Sequence, residues 1–124
     1  MPNDIRIESH DDYLLFVIRG TDSLVFSLQY LRLVGEECRS RGYRKAMVIE
    51  DLDGQLTTMD MYHLGEQVTS LLEGVQVALV DTHPSHREGN RFGEIVARNR
   101  GARIQLFGDV NRARQWLLGQ CGQW

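Results

Sequence analysis

Cysteine is scarce in this chain: Cys38 and Cys121 are the only two among 124 residues. They stand far apart and form no CxxC pair, which leaves neither a disulfide framework nor a zinc knuckle supported, so both read as reduced thiols. Cys38 falls on the apolar stripe of an expected helix, where a free cysteine acts as a small hydrophobe, and Cys121 is expected to be exposed near the tail. Long apolar runs are missing too. The longest, Tyr13 to Ile18 and Val75 to Val80, fall far short of the roughly 18 residues that a membrane span needs. The opening Met1-Pro2-Asn3-Asp4 lacks the basic start, apolar stretch and small-residue cleavage site of a secretory signal, so a cytoplasmic location is expected. Lysine occurs once, as Lys45. With an acidic balance overall and no interleaving of arginines with aromatics, the chain does not read as a nucleic-acid binder. The GxxxxGK(S/T) loop, the GxGxxG fingerprint, HExxH and the GxSxG elbow are all absent, so the common nucleotide, dinucleotide, zinc-protease and hydrolase motifs are excluded.

What is present is ordinary for one globular domain: 42% hydrophobic and 25% charged residues, at a length that buries one sizeable core and not two. The net charge of −3 conceals a split. Residues 1–81 carry 7 basic and 14 acidic side chains, whereas residues 82–114 carry 7 arginines against 3 acids. An acidic body is followed by an arginine-rich segment. Such a split guides an anionic ligand or an acidic partner to one face, although a solvated mixed-charge surface gives the same pattern.

Hydrophobic periodicity predicts two opening strands, Asp4 to Glu8 and Tyr13 to Gly20, joined by Ser9-His10-Asp11-Asp12 as a hairpin. Phe26, Tyr30, Leu31, Val34 and Cys38 then recur at helical spacing up to Gly42, a C-cap residue. Ala46 to Ile49 reads as a buried strand that runs into a loop, Glu50-Asp51-Leu52-Asp53-Gly54. Thr57-Thr58-Met59-Asp60 starts a second helix with a capping box, Met61, Leu64, Val68 and Leu71 forming its apolar face. Val75 to Val80 is a strand, Asp81 to Pro84 a loop, Arg87 to Arg100 a helix, Arg103 to Phe107 a strand, and Asp109 caps a last helix. The order β-β-α-β-α-β-α-β-α predicts a single-domain α/β fold with a mixed, mostly parallel sheet and one antiparallel strand near an edge.

Ligands of such sheets sit beyond the carboxyl ends of the strands, which here are Gly20-Thr21-Asp22, Glu50-Asp51-Leu52-Asp53, Asp81-Thr82-His83 and Gly108-Asp109. Asp51 invites a phosphate-accepting receiver reading. That chemistry needs an acidic pair closing the first parallel strand and a lysine after the last, but Asp11-Asp12 precede their strand and Gly108-Asp109 brings no lysine. A cluster of Glu50, Asp51, Asp53 and Asp81 suits acid/base pairs or a cation, and equally suits helix capping. His83 and His86, with Asp81, make an incomplete zinc set, and together with Asp51 they are the basis of a metal-dependent hydrolase alternative; no metal or cofactor is assigned. His10 reads as a turn residue and His63 as helical surface. Tyr62, Phe92, Phe107 and Trp116 are expected in the core.

The segments Asn90-Arg91-Phe92-Gly93-Glu94, Asn99-Arg100-Gly101 and Leu106-Phe107-Gly108-Asp109, followed by Ala113 and Trp116-Leu117, carry a resemblance. The chain resembles the small SpoIIAA-like proteins of the STAS superfamily, the sulfate transporter and anti-sigma-factor antagonist group. The resemblance implies helices packed on a mixed sheet, a non-enzymatic regulatory or ligand-binding role, and kinship with domains that hold apolar ligands. Phosphorylatable members carry serine in an Asp-Ser-Gly-like motif at the helix after the third strand. Here the region reads Gly54-Gln55-Leu56-Thr57-Thr58-Met59-Asp60, so the serine is missing and Thr57 or Thr58 is the remaining candidate acceptor. The leading expectation is a regulatory module that binds a protein partner or an anionic small molecule through Asp51, Asp81, His83, Asn90, Arg91 and Arg98. The alternative is a carrier or sensor of an apolar, lipid-like ligand held between the sheet and the second and third helices. A homodimer fits either.

Overall fold

Alternation along the strands decides which residues meet which helices. The computed structural model describes residues 3–119. β1 (Asp4–Ser9) pairs antiparallel with β2 (Leu14–Thr21), Ile7 lying opposite Phe16. β2 then pairs in parallel with β3 (Lys45–Asp53), β3 with β4 (Gln76–Asp81), and β4 with β5 (Ile104–Phe107). The sheet order is β1-β2-β3-β4-β5, so every crossover steps one strand further in the same direction. Right-handed crossovers of that kind put their helices on one face. Accordingly α1 (Leu24–Arg41) packs on α2 (Thr58–Leu71), and α2 packs on α3 (Arg87–Asn99). The expected element order and the antiparallel edge strand are both found, in a single small α/β domain.

The period of two splits the core. Leu14, Phe16 and Ile18 of β2, Ala46, Val48 and Leu52 of β3, Val77 of β4 and Ile104 of β5 meet the three-helix layer at Tyr30, Leu31, Val34, Cys38, Met61, Leu64, Val68 and Ala97. The intervening residues, Met47, Ala78 and Val80, meet Ala113 and Leu117 of α4 (Val110–Leu117) on the opposite face. Phe107 and Trp116 pack around this second cluster, as the sequence predicts. Tyr62 and Phe92 do not lie in the core. Both are exposed, because the apolar stripe that joins α2 to α3 runs through Met61, Leu64 and Ala97 instead.

Helix ends follow their residues. Ser23 caps α1 by accepting from the Phe26 amide, and Gly42 closes it in the left-handed region at φ 78°. Thr57 and Asp60 form a reciprocal capping box on α2, and Asp109 caps α4. The helices of the layer approach through glycines: a Cβ at Gly35 would overlap the Leu71 carbonyl, and one at Gly65 would sit 2.8 Å from Val96 Cβ.

One boundary differs from expectation in a way that shapes the site. Glu50 to Asp53 is not a loop: β3 continues through it, because β2 supplies ladder partners from Ile18 to Thr21. The acids of this stretch therefore alternate between faces instead of clustering. Cys38 is buried and free, and burial pushes its thiol up to about 11; Cys121 lies outside the described residues. Among the described residues, no helix is long and apolar enough to cross a membrane.

Candidate functional site

Glu50 occupies a core-facing position of β3, in phase with Ala46, Val48 and Leu52, and opposite Asp81 in the β3–β4 register. It is only 8% exposed. Burying a carboxylate is costly, so the acid form is favoured. Burial first, then the charges of Asp22 and Asp81, raise the Glu50 carboxyl to about 8, against a hydrogen bond from Tyr30 that acts the other way. The Tyr30 hydroxyl donates that bond to Oε2, and Tyr30 itself is pushed up by burial and by Glu50.

Two more acids converge on the same face. Asp22, in the turn between β2 and α1, accepts from the Ser27 hydroxyl at 2.7 Å, and burial raises its carboxyl above the usual range. Asp81 ends β4 with a side chain only 4% exposed. It accepts from the His83 amide at 3.0 Å and from Asn90 Nδ2 at 2.8 Å, and it contacts His86 Nδ1 at 3.0 Å. Asn90 therefore reaches the site from α3 as expected, and His86, not His83, is the imidazole held at Asp81.

The remaining expected members separate. Asp51 points to the other face, exposed, with Arg19 at 3.9 Å and His83 Nε2 at 3.3 Å. The His83 and His86 rings stand 4.9 Å apart, tilted by 39°, and serve different acids. Among the described residues no group of three or more His, Cys, Asp or Glu side chains is placed to hold a metal ion. Thr57 Oγ1 is occupied in accepting from the Asp60 amide at 3.0 Å, while Thr58 is exposed in the first turn of α2. His10 stacks on Tyr13 in its turn, and His63 lies beside Glu66 on α2, both as expected.

Three adjoining hollows lead inward from the surface. An open groove of about 410 Å3 runs between the starts of α2 and α3, past Leu56, Thr58, Met61 and Phe92. Behind Leu56 and Met61 lies a mouth of about 30 Å3 ringed by Asp22, Glu50, Asp81, His86 and Asn90. Beyond Glu50 an inner cavity of about 50 Å3 extends between the sheet and the helices, with Leu31, Leu64, Val68, Leu79 and Leu106 among its walls. Glu50, Asp22 and Asn90 border both inner spaces.

A second feature lies outside. On α3, Arg87, Arg91, Ile95 and Arg98 fall at spacings of 4, 4 and 3, which is one helical stripe. Ile95 is 48% and Phe92 37% exposed. Among the described residues the side chains of Arg87, Arg91 and Arg98 make no hydrogen bond or ion pair. Other arginines are engaged: Arg39 donates to the Leu71 and Glu73 carbonyls, Arg100 pairs with Glu66 at 3.2 Å, and Arg114 reaches the Tyr13 hydroxyl.

Fold and site together define a small α/β domain with a polar strand-end mouth leading to an apolar hollow. Compared with known proteins, the chain matches no family model and no curated protein.

Asp22 stands at a strand end, where the sequence places ligands, whereas Tyr30 and Ser27 are site residues that the sequence does not single out. Tyr30 reads as one more apolar-stripe residue of α1, and nothing local ties it to Glu50, 20 residues on. Glu50 did leave a signal, an acid at the core-facing phase of a strand, once the strand is known to continue past Ile49.

Proposed function

We propose that the chain is a non-enzymatic regulatory binding module, similar in architecture to STAS domains, that presents the outer stripe of α3 to an acidic segment of a protein partner. The observation that carries this reading is the set of three uncommitted arginines, Arg87, Arg91 and Arg98, flanking exposed Ile95 and Phe92. Arginine beside exposed apolar and aromatic groups is the composition of an interface centre, and guanidinium forks suit carboxylates. The stepwise sheet order, which collects three helices in one layer and leaves α3 at its end, supports the STAS-like architecture.

The test is the double variant Arg91→Glu, Arg98→Glu. Both side chains are exposed, so urea unfolding should match the parent to within about 0.5 kcal/mol. Partners captured from cell extract by the parent should be lost by the variant, and their retention should weaken as salt rises. An identical partner set at identical levels would sink the proposal.

A second reading, ligand binding between the sheet and α2 and α3, is favoured by the inner cavity at that location. Its size narrows the ligand. Drug-sized sites run to about 300–1,000 Å3, so about 50 Å3 suits a small apolar group and not a lipid chain.

A further inference from the structure

The mouth and the inner cavity make one amphiphilic site, and the carboxyl groups on its border, unmatched by any lysine or arginine, select the ligand. Four carboxyls border it from four directions: Asp22 ahead of α1, Glu50 on β3, Asp81 on β4 and Glu94 on α3. Two are committed. Asp81 is held by His86, Asn90 and the His83 amide, and Glu94 accepts from the Leu106 amide at 2.6 Å. Glu50 keeps one oxygen free: Oε2 accepts from Tyr30, while Oε1 has no partner among the described residues, although the residue is more than nine-tenths buried and borders both spaces. No lysine or arginine lines either space, and the one basic ring there, His86, is occupied at Asp81.

The apolar part of the site sets the ligand's length. At roughly 10–15 Å3 for each water-sized sphere, about 50 Å3 accommodates a chain of a few carbon atoms. A cation bound at the free Glu50 oxygen would take the place of the carboxyl's proton in offsetting the repulsion among the converging acids, and a short alkyl tail would replace nothing polar in the inner wall.

We propose that this site binds a short primary alkylammonium ion, its ammonium group at Glu50 and Asp22 and its alkyl chain in the cavity between the sheet, α2 and α3. The inference rests on the second, ligand-binding reading above. Because the Glu50 carboxyl is held up near 8 in the free protein, an ammonium ion bound at neutral pH displaces its proton to solvent.

The experiment titrates the full chain with ethyl-, propyl- and butylammonium and with the alkanols of equal length, read by amide chemical shifts and by calorimetry in buffers of different ionisation heat. Expected are saturable shifts on Met61, Leu64 and Ala97, binding by the amines roughly tenfold or more tighter than by the alcohols, and release of close to one proton. Glu50→Gln should abolish the proton release and weaken the amines to the level of the alcohols. Asp22→Asn serves as the second variant if Glu50→Gln does not fold, and should weaken the amines selectively. Equal binding of amines and alcohols at these residues would overturn the cation assignment while leaving the ligand-binding reading standing. No saturable binding by either series would overturn both, and amine binding untouched by the variants would overturn the placement.

Discussion

At the scale of single residues, Glu50 is a carboxyl that burial holds in its acid form, raised to about 8. The folded chain holds a proton that the unfolded chain releases, so its contribution to stability is complete below the ordinary carboxyl value of 4.5. That contribution is lost as pH rises toward about 8. One proton corresponds to about 1.4 kcal/mol per pH unit, and the total loss is on the order of a few kcal/mol. Urea unfolding across that window should show the decline, and Glu50→Gln should flatten it; a parent curve that rises instead would contradict the buried acid form. Tyr30→Phe removes the donor to Oε2 and should cost roughly 1–3 kcal/mol, because a buried polar group loses its partner. None of this was visible from residue identity. An acid after an apolar run reads as loop because loops are where acids usually stand, and only the ladder partners offered by β2 keep Glu50 in the strand.

At the scale of elements, the helix layer depends on close approach at glycine. Gly65→Ala should destabilise by roughly 1–3 kcal/mol, since the new methyl meets Val96 Cβ and the Gly93 carbonyl, and both are tied to the α3 backbone. Gly93→Ala tests the same interface from the other side. Its methyl would meet the mobile end of Met61 at 2.5 Å, and alanine's gain of about 1 kcal/mol in helix propensity offsets that displacement. Thermal unfolding of the two variants should therefore separate, Gly65→Ala melting well below Gly93→Ala. The helices themselves were legible, and Thr57 and Asp109 cap where the sequence expects them, while the Ser23 cap of α1 is seen only in the structure. Pairwise packing was not, and it is what sends Tyr62 and Phe92 to the surface when their spacing is equally compatible with burial.

For the whole molecule, the two sheet faces are unequal: a three-helix layer covers one and α4 packs on the other. Leu117, 1% exposed at the centre of the smaller cluster, should cost about 2–5 kcal/mol when changed to alanine, as measured by chemical denaturation. The charge split has a spatial outcome as well. The acidic body contributes Asp22, Glu50 and Asp81 to the mouth, and the arginine-rich segment contributes the outer stripe of α3. Periodicity and end-capping chemistry, which act over a few residues, were enough for the sequence alone to determine the five strands and four α-helices in their order, the mixed sheet and its antiparallel edge, though not the short 3-10 turn at Pro84–His86. Proximity of residues remote in the chain was decided only by the tertiary structure. Tyr30 met Glu50, Asp81 took His86 and Asn90, and Asp51 turned away with His83, because strand register and helix packing are set by the burial of the whole core and by no local signal.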